Sequence, residues 1–540
     1  VLGFCDPVET VTAYRLEGVL PALRRIEQAV SQGWYAAGFL AFEAAPAFDE
    51  ALVAHPPAEF PLVWFGLYKA VFELPRPAEG TCRFEVGSWR PLILKEAYCQ
   101  AVQRIREYIR AGDAYQVNYT FRLSAPFRGD TLGWFNQLSR AQAASYCAFV
   151  NTGRFHVLSA SPELFFQLEG NQIWTRPMKG TRPRGQWAEE DQRQARDLAE
   201  SDKERAENVM IVDLLRNDLG RIAAVGSVAV PELFQVEQYP TVWQMTSTIT
   251  AQTHAPVPEI LAALFPSGSV TGAPKVRVME IIRELEPFPR EVYCGSVGWW
   301  FPHRRAGFNV AIRTVTVDLE VGAAHYGVGS GITWGSCPEK EYQECLLKAR
   351  VLTHQEPDFE LLESILFDGS YFLLEEHLDR LEASASYFGF RVDRDAAESA
   401  LIGAAKGFDA GTLPVKVRLL VARDGSWRIE SEPIKSCRQV RLGLAREPVD
   451  CEDRFLYHKT THRAAYEAAL RSRPDCEDVL LYNSNGEITE STIANVVVEI
   501  NGQLLTPPVA CGLLSGTFRK HLVETGVLRE ATIKKSDLSR

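Results

Sequence analysis

Near residue 356 the sequence starts over. A long stretch of alternating helical and strand patterns runs to about Leu352, and the polar, proline-containing "THQEPDFE" follows. Then "LLESILFDGSYFLLEEHLDRLEASASYFGF" opens a second unit as strand, Asp-Gly turn, strand and helix. A chain of 540 residues exceeds what one hydrophobic core organises, and it carries no internal repeat. The expectation is an α/β (α+β) chain of two domains, 1–355 and 356–540.

Composition narrows the partners. A formal net charge of −11 leaves no broad basic face for nucleic acid, so any anionic ligand must be held by local cations or a metal. No apolar run is long enough to span a membrane, so no membrane partner is expected. The cysteines stand singly, without a CxxC pair, as reduced thiols do, and "VLGFCDPVET" has no export-signal pattern; a cytoplasmic location is expected. The chain lacks an initiator Met and stops at "KKSDLSR" without an obvious finish, so trimmed ends are expected.

Three stretches of the first region carry chemistry. In "KEAYCQAVQRIREYIRAGDAYQVNYTFRL" the spacing predicts a helix, a break at Gly112 and an alternating strand. In "SDKERAENVMIVDLLRNDLGR", Ser201 and Glu204 have capping-box spacing ahead of a stripe of Val209, Val212, Leu215 and Leu219. In "SCPEKEYQECLLKARVL", Ser336 and Pro338 mark a helix start that sets Glu341, Glu344 and Lys348 on one face. Glu344 with Lys348 alone would be an ordinary surface ion pair. Two helices that each offer a carboxylate pair suit Mg²⁺, which takes one or two carboxylates and keeps waters.

The turn Gly272–Ala273–Pro274 before an apolar-striped helix offers amides to an anion. "HYGVGSGITWGS" reads as a glycine-rich loop that a ligand can approach closely, and Arg313, on an expected strand in "FNVAIRT", can clamp a carboxylate. In "TRPMKGTRPRG" one lysine, Lys179, stands among three arginines, as either a basic surface loop or an amine placed to react with an anion.

In their order "SPELFF", "KGTRPRG", "DKERAENVMIVDLLRNDLGR", "SGSVTGAPK", "FNVAIRT" and "GSGITWGSCPEKEYQE" resemble the chorismate-utilising enzymes. The resemblance spans roughly Asp6 to Leu352 and implies one large domain of two antiparallel sheets flanked by helices. It implies Glu207 and Glu344 as Mg²⁺ ligands with Glu204 and Glu341 nearby through water, and Glu163 as the acid that assists departure of the ring hydroxyl. It implies substrate contacts at Thr271, Gly272, Ala273, Arg313, Tyr326, Gly329, Gly331 and Lys348. Family anthranilate synthases carry a small residue where Lys179 stands, and isochorismate-type members carry a base lysine where this chain has Gln116. A water-activating base is thus missing and an amine added, the pattern of aminodeoxychorismate synthases. There the lysine attacks C2 of chorismate as the C4 hydroxyl leaves. Such an amine must be partly uncharged, which burial and the neighbouring Arg176 and Arg182 would favour. Gln244 stands where members often have a histidine.

In the second region Lys459 of "RFLYHKTTHRAAYEAA" reads locally as a strand-end lysine before a helix. "FDGSYFLLEEHLDRLEASA", "GEITESTIANVVVEINGQLLTPP" and "CGLLSGTFRKHLVE" resemble class IV pyridoxal 5'-phosphate enzymes, which include aminotransferases and aminodeoxychorismate lyase. The resemblance implies Lys459 as the Schiff-base lysine, Arg380 and the helix start at Gly516 and Thr517 on the phosphate, and Glu490 on the pyridine nitrogen. Phe518 stands where many members have a hydroxyl residue, and the class has a further strand beyond Arg540, so this domain is expected to be C-terminally incomplete.

Together the resemblances imply two consecutive steps to 4-aminobenzoate in folate biosynthesis: amination of chorismate, then elimination of pyruvate. The alternatives are an anthranilate or isochorismate type synthase fused to an aminotransferase, or a fusion with one inactive half. No Cys and His pair stands in a glutamine-amidotransferase setting, so ammonia is expected from a separate amidotransferase subunit.

Overall fold

The computed structural model describes residues 1–74, 83–142, 144–353, 357–409, 411, 413–434 and 439–539. The stretch 354–356, where the sequence places its boundary, lies outside the described residues. The chain forms two compact units: Val1–Pro183 with Ala195–Gln355, and Arg184–Gln194 with Glu356–Arg540.

The first unit contains an eight-stranded and a ten-stranded sheet, paired antiparallel throughout. The long strand Gln116–Gly129 runs beside Ala323–Ile332 in unbroken register from Val117↔Ile332 to Pro126↔Ala323. Helices Lys95–Ala111, Lys275–Leu285 and Pro338–Lys348 cover one face of this sheet around Tyr98, Ile105, Ile281 and Cys345. The ten-stranded sheet has its own core, where Leu16–Ser31, Val257–Leu264 and part of Asp202–Gly220 bury Ile26, Leu261 and Leu215. Period-two burial on the strands and the 3.6-residue stripe on the helices produce this layering.

Local signals hold where they rest on caps and periodicity. Gly112 ends its helix in the left-handed conformation at φ 86°, and the Ser201 hydroxyl accepts the Glu204 N–H. Four details differ from expectation. Val209 is exposed at 37%, because Asn208 takes the buried position beside Val212. The helix of Pro338 has Cys337, with no side-chain bond, at its N-cap position instead of Ser336, whose hydroxyl accepts the Thr333 N–H. The glycine-rich "HYGVGSGI" is strand, since Ala324, Tyr326, Val328, Ser330 and Ile332 alternate into the core. Arg313 lies in the turn ahead of strand Thr314–Asp318, at φ 50°.

In the second unit Leu361–Phe367, Val415–Val421 and Trp427–Pro433 form an antiparallel sheet, and helix Leu374–Phe388 packs on it through Leu378, Leu381 and Ala385. The expected second strand after the Asp-Gly turn is a single bridge, Phe367↔Tyr371, because Leu373 takes φ 53° and the helix starts at once. Two further three-stranded sheets follow.

Candidate active sites

Lys179 sits in a β-bulge. Strand Met178–Pro183 pairs with Val242–Gln252 at Met178↔Thr246 and again at Thr181↔Gln244, with a register shift between. A bulge re-aims one side chain and needs its freed backbone tied down. Here Asn208 donates to the Lys179 carbonyl at 3.2 Å and accepts from Ser247 at 2.6 Å, while Gln244 donates to the Gly180 carbonyl at 2.9 Å. Gln244 thus acts as a fixed backbone brace.

The Lys179 residue keeps some exposure, yet its amine is enclosed by protein. Its pKa is lowered, first by burial; Lys348 adds to this, and Glu207 and Glu163 oppose it. Lys348 is the largest cationic contributor to that lowering, and Arg176 is paired with Glu237 at 2.6 Å. Glu163 is buried, accepts the Ser269 hydroxyl at 2.5 Å, and is pushed up to about 7 by burial against the lowering effects of Ser269 and Lys179. Burial thus pushes both groups toward their uncharged forms, the amine's pKa down and the carboxyl's up to about 7.

Gly331 lets its strand pack directly against Gln116 and the amine. A Cβ there would lie 3.1 Å from Lys179 Nζ and 2.0 Å from Gln116 Nε2. The Gln116 side chain is buried with neither its oxygen nor its nitrogen bonded within the protein, so its amide is left for something bound. Gly272, at φ 136°, lets the turn pair closely with Gln116–Val117, and a Cβ on it would lie 2.1 Å from the Gln116 carbonyl. Gly329 accepts from Lys348 Nζ at 3.0 Å, and Lys348 pairs with Glu344 at 2.7 Å.

The structure thus gathers Glu163, Glu207, Glu344, Lys348 and Gly331 about the Lys179 amine, with Gly329 tied in through Lys348 and the Gly272–Ala273 turn through Gln116. Tyr326 it places on the core face of its strand, its hydroxyl reaching the Lys348 carbonyl at 3.4 Å. Thr271 is fully buried with its hydroxyl on Ser267 O, and Arg313 also holds the Lys348 carbonyl.

Among the described residues no three His, Cys, Asp or Glu side chains converge as a preformed metal cage. Glu207 is raised by burial, with Lys179 and Lys203 opposing and Glu204 and Glu341 reinforcing. Glu344 is also penalised by burial but ends lowered, through Lys348, Lys179 and Lys203. Both carboxylates share Lys179 and Lys203 as neighbours, a donor set that fits an ion needing one or two carboxylates and otherwise hydrated.

In the second unit Lys459 follows a short 3-10 turn, and its carbonyl accepts from Leu362 N at 3.0 Å. Its pKa is lowered to about 8, first by burial and then by Arg380, with Glu363 opposing. Arg380, on helix Leu374–Phe388, grips Glu363 with two nitrogens at 2.9 and 2.6 Å and reaches the Ser515 carbonyl at 3.2 Å, next to Gly516 and Thr517. Glu490 is buried, bonded by Tyr466 at 2.7 Å, Leu514 N at 3.1 Å and Asn495 at 3.1 Å, and raised by burial to about 7. Phe518 is 53% exposed against Phe372. An amine of lowered pKa, a buried carboxyl group and an arginine beside a helix start fit a phosphorylated pyridine aldehyde.

Asn208, Ser247 and Ser269 were not singled out by sequence. Asn208 and Ser269 lie inside quoted motifs and Ser247 stands three residues after Gln244; hydroxyl or amide residues amid apolar runs were the available signal.

Two family models match the chain. The family model for the chorismate binding enzyme matches residues 7–354, and that for amino-transferase class IV matches residues 359–540. Over 271 residues the chain is 46% identical to "Aminodeoxychorismate synthase component 1" of Klebsiella aerogenes, covering 50% of this chain and 60% of that protein. Over 278 residues it is 42% identical to "Anthranilate synthase component 1" of Thermus thermophilus, covering 51% of this chain and 58% of that one. The chain thus spans about three fifths of the length of these relatives. In three dimensions it is similar to anthranilate synthase component I from Streptococcus pneumoniae, with a TM-score of 0.58, 25% identity, and 66% and 92% of the two chains covered. No described helix is long and apolar enough to cross a membrane.

Proposed function

The chain belongs to the chorismate binding enzymes, and on that premise we propose that its first unit aminates chorismate at C4 and its second eliminates pyruvate from the product to give 4-aminobenzoate. One observation carries the first half: a buried amine of lowered pKa, Lys179, with the Glu163 carboxyl as its neighbour and Gln116 in place of a second basic group. Identity alone does not choose, since 46% and 42% separate the two kinds of relative by little.

Lys179 attacks C2 of the ring as the C4–O bond breaks, and Glu163 gives its proton to the departing hydroxyl, which leaves as water. Ammonia then adds at C4, and the C2–N bond breaks with its electron pair returning to the lysine. The Gln116 amide, unbonded within the protein, orients the ring's polar groups. Glu207 and Glu344 would hold a Mg²⁺ ion, which when bound supplies positive charge to a substrate carboxylate. Ammonia comes from a separate glutamine amidotransferase subunit.

In the second unit Lys459 and Glu490 would hold pyridoxal phosphate by its aldehyde carbon and ring nitrogen, with Arg380 and the helix start of Thr517 on its phosphate. When bound, that cofactor withdraws electrons from the carbon bearing the substrate's amino group. Lys459 takes the proton from C4 of the ring, and the ring becomes aromatic as pyruvate departs.

The test is incubation with chorismate, Mg²⁺, ammonium and pyridoxal phosphate, with products identified by mass and chromatography. 4-Aminobenzoate and pyruvate in equal amounts are expected; 2-aminobenzoate or a hydroxyl isomer of chorismate sinks the reading. A pH profile adds a second check. Because Glu163 is raised to about 7 and acts protonated, first-step kcat/KM falls as pH rises through about 7. Glu163→Gln removes that limb and costs roughly 10²–10⁴-fold in rate.

A further inference from the structure

Residues 184–194 follow directly on the strand that carries Lys179, yet they are built into the second unit. Their anchoring is specific. Arg184 is buried, bonded to both oxygens of Asp191 at 2.7 Å, and donates to the Tyr387 carbonyl at 3.1 Å with its guanidinium 4.4 Å from the Tyr387 ring. The Tyr387 hydroxyl returns a bond to the Gly185 carbonyl at 2.8 Å. A side chain at Gly185 would collide with the backbone at Asp191, 2.2 Å away, so the turn is as tight as a glycine permits. Trp187 stacks on Tyr457, with ring centroids 5.4 Å apart and planes at 27°.

These contacts converge on the two residues that precede Lys459. Tyr457 carries Trp187 on its face and donates to the Cys451 carbonyl at 3.0 Å. The His458 ring lies 4.3 Å from the Tyr387 ring and 4.8 Å from Phe388, with Nδ1 at 3.0 Å from the Ser384 hydroxyl. On the far side Lys459 and Thr460 are held by strand Leu361–Phe367, through the Lys459 carbonyl and the Leu361↔Thr460 bridge. The lysine's backbone is therefore clamped from two directions, and one jaw comes from the first half of the sequence.

We propose that segment Arg184–Gln194 is a positioning element of the second site: through Trp187 on Tyr457 and Gly185 on Tyr387 it fixes the Tyr457–His458 backbone and so the direction of the Lys459 amine. The proposal rests on the reading of Lys459 as the residue that captures pyridoxal phosphate. Trp187 and Gly185 are positioning residues in this proposal. They act through Tyr457 and Tyr387.

The test uses the full chain with Trp187→Ala, Trp187→Phe and Tyr387→Phe. In cofactor-free protein, amide hydrogen exchange across residues 457–460 is expected to quicken about tenfold or more in Trp187→Ala, as a local opening, with little change in the core strand Val415–Val421. The aromatic replacement restores most of the protection, because it restores the stacking. Tyr387→Phe, which removes one hydroxyl and leaves the ring, moves exchange in the same direction by a smaller factor. With cofactor added, Trp187→Ala weakens pyridoxal phosphate binding and shifts the pH at which its visible band titrates, while amination of chorismate by the first unit stays within about twofold of wild type. Unchanged exchange at 457–460 and an unchanged titration midpoint in both Trp187→Ala and Tyr387→Phe overturn the proposal, as does failure of Trp187→Phe to improve on alanine. A visible band that survives Lys459→Ala overturns the underlying reading of the lysine, and the exchange data still judge the clamp.

Discussion

Lys179→Ala lowers formation of the 4-aminated product from chorismate and ammonium by on the order of a thousandfold or more, since the nucleophile is gone while the binding surroundings stay. The expected loss is in kcat, with KM for chorismate little changed, because Lys348, Gly329 and the Gly272 turn remain. Folding is expected to survive: Asn208 and Gln244 hold the bulge through the carbonyls of Lys179 and Gly180, which alanine keeps. Quenching the wild-type enzyme during turnover and digesting it adds a ring-derived mass to the peptide containing Lys179. Undiminished 4-amination by the alanine variant, or no such adduct, removes the covalent step. A switch to 2-aminobenzoate in the variant supports it, because ammonia would then meet C2 unopposed.

Lys459→Ala abolishes the visible absorbance of bound pyridoxal phosphate and lowers release of pyruvate by on the order of 10⁴-fold, leaving the first step intact and its 4-amino product accumulating. The sign of the pH effect follows from the lysine's surroundings. Burial and Arg380 hold its pKa down at about 8, so the uncharged amine that captures an aldehyde grows in as pH rises through about 8. Capture by cofactor-free protein, followed by stopped-flow absorbance, should therefore accelerate as pH rises through about 8 and level only above it. A rate flat from pH 6 to 9 contradicts an amine so placed.

How much of this could be read from the letters alone depends on distance along the chain. Caps, helix breaks and alternation act within a few residues, and they gave the helix Lys95–Ala111, its Gly112 stop and the Ser201 cap. Glycine content misled at Gly327, Gly329 and Gly331, where burial on alternate positions makes a strand and the glycines serve close approach instead of looseness. The site residues were legible as types, because a lysine among arginines and paired glutamates on helices are chemically conspicuous. What tunes them was not. Ser269 reaches Glu163 across 106 residues, and Asn208 reaches the Lys179 carbonyl across 29. Of what lowers the Lys179 pKa, burial leads and Lys348 is the largest cationic contributor, from 169 residues away in sequence, while Arg176 is paired with Glu237.

The chain enters its second unit at residue 184, leaves it after 194, and returns at 356. Such threading makes the polypeptide a poor candidate for division into interchangeable cassettes. A gene cut at the apparent seam would hand the downstream product a hydrophobic socket at Tyr457 without its tryptophan and a Tyr387 hydroxyl without its acceptor. Lineages that carry this arrangement would accordingly be expected to inherit the two halves as one reading frame, and any that separate them should show a compensating side chain where Trp187 now lies.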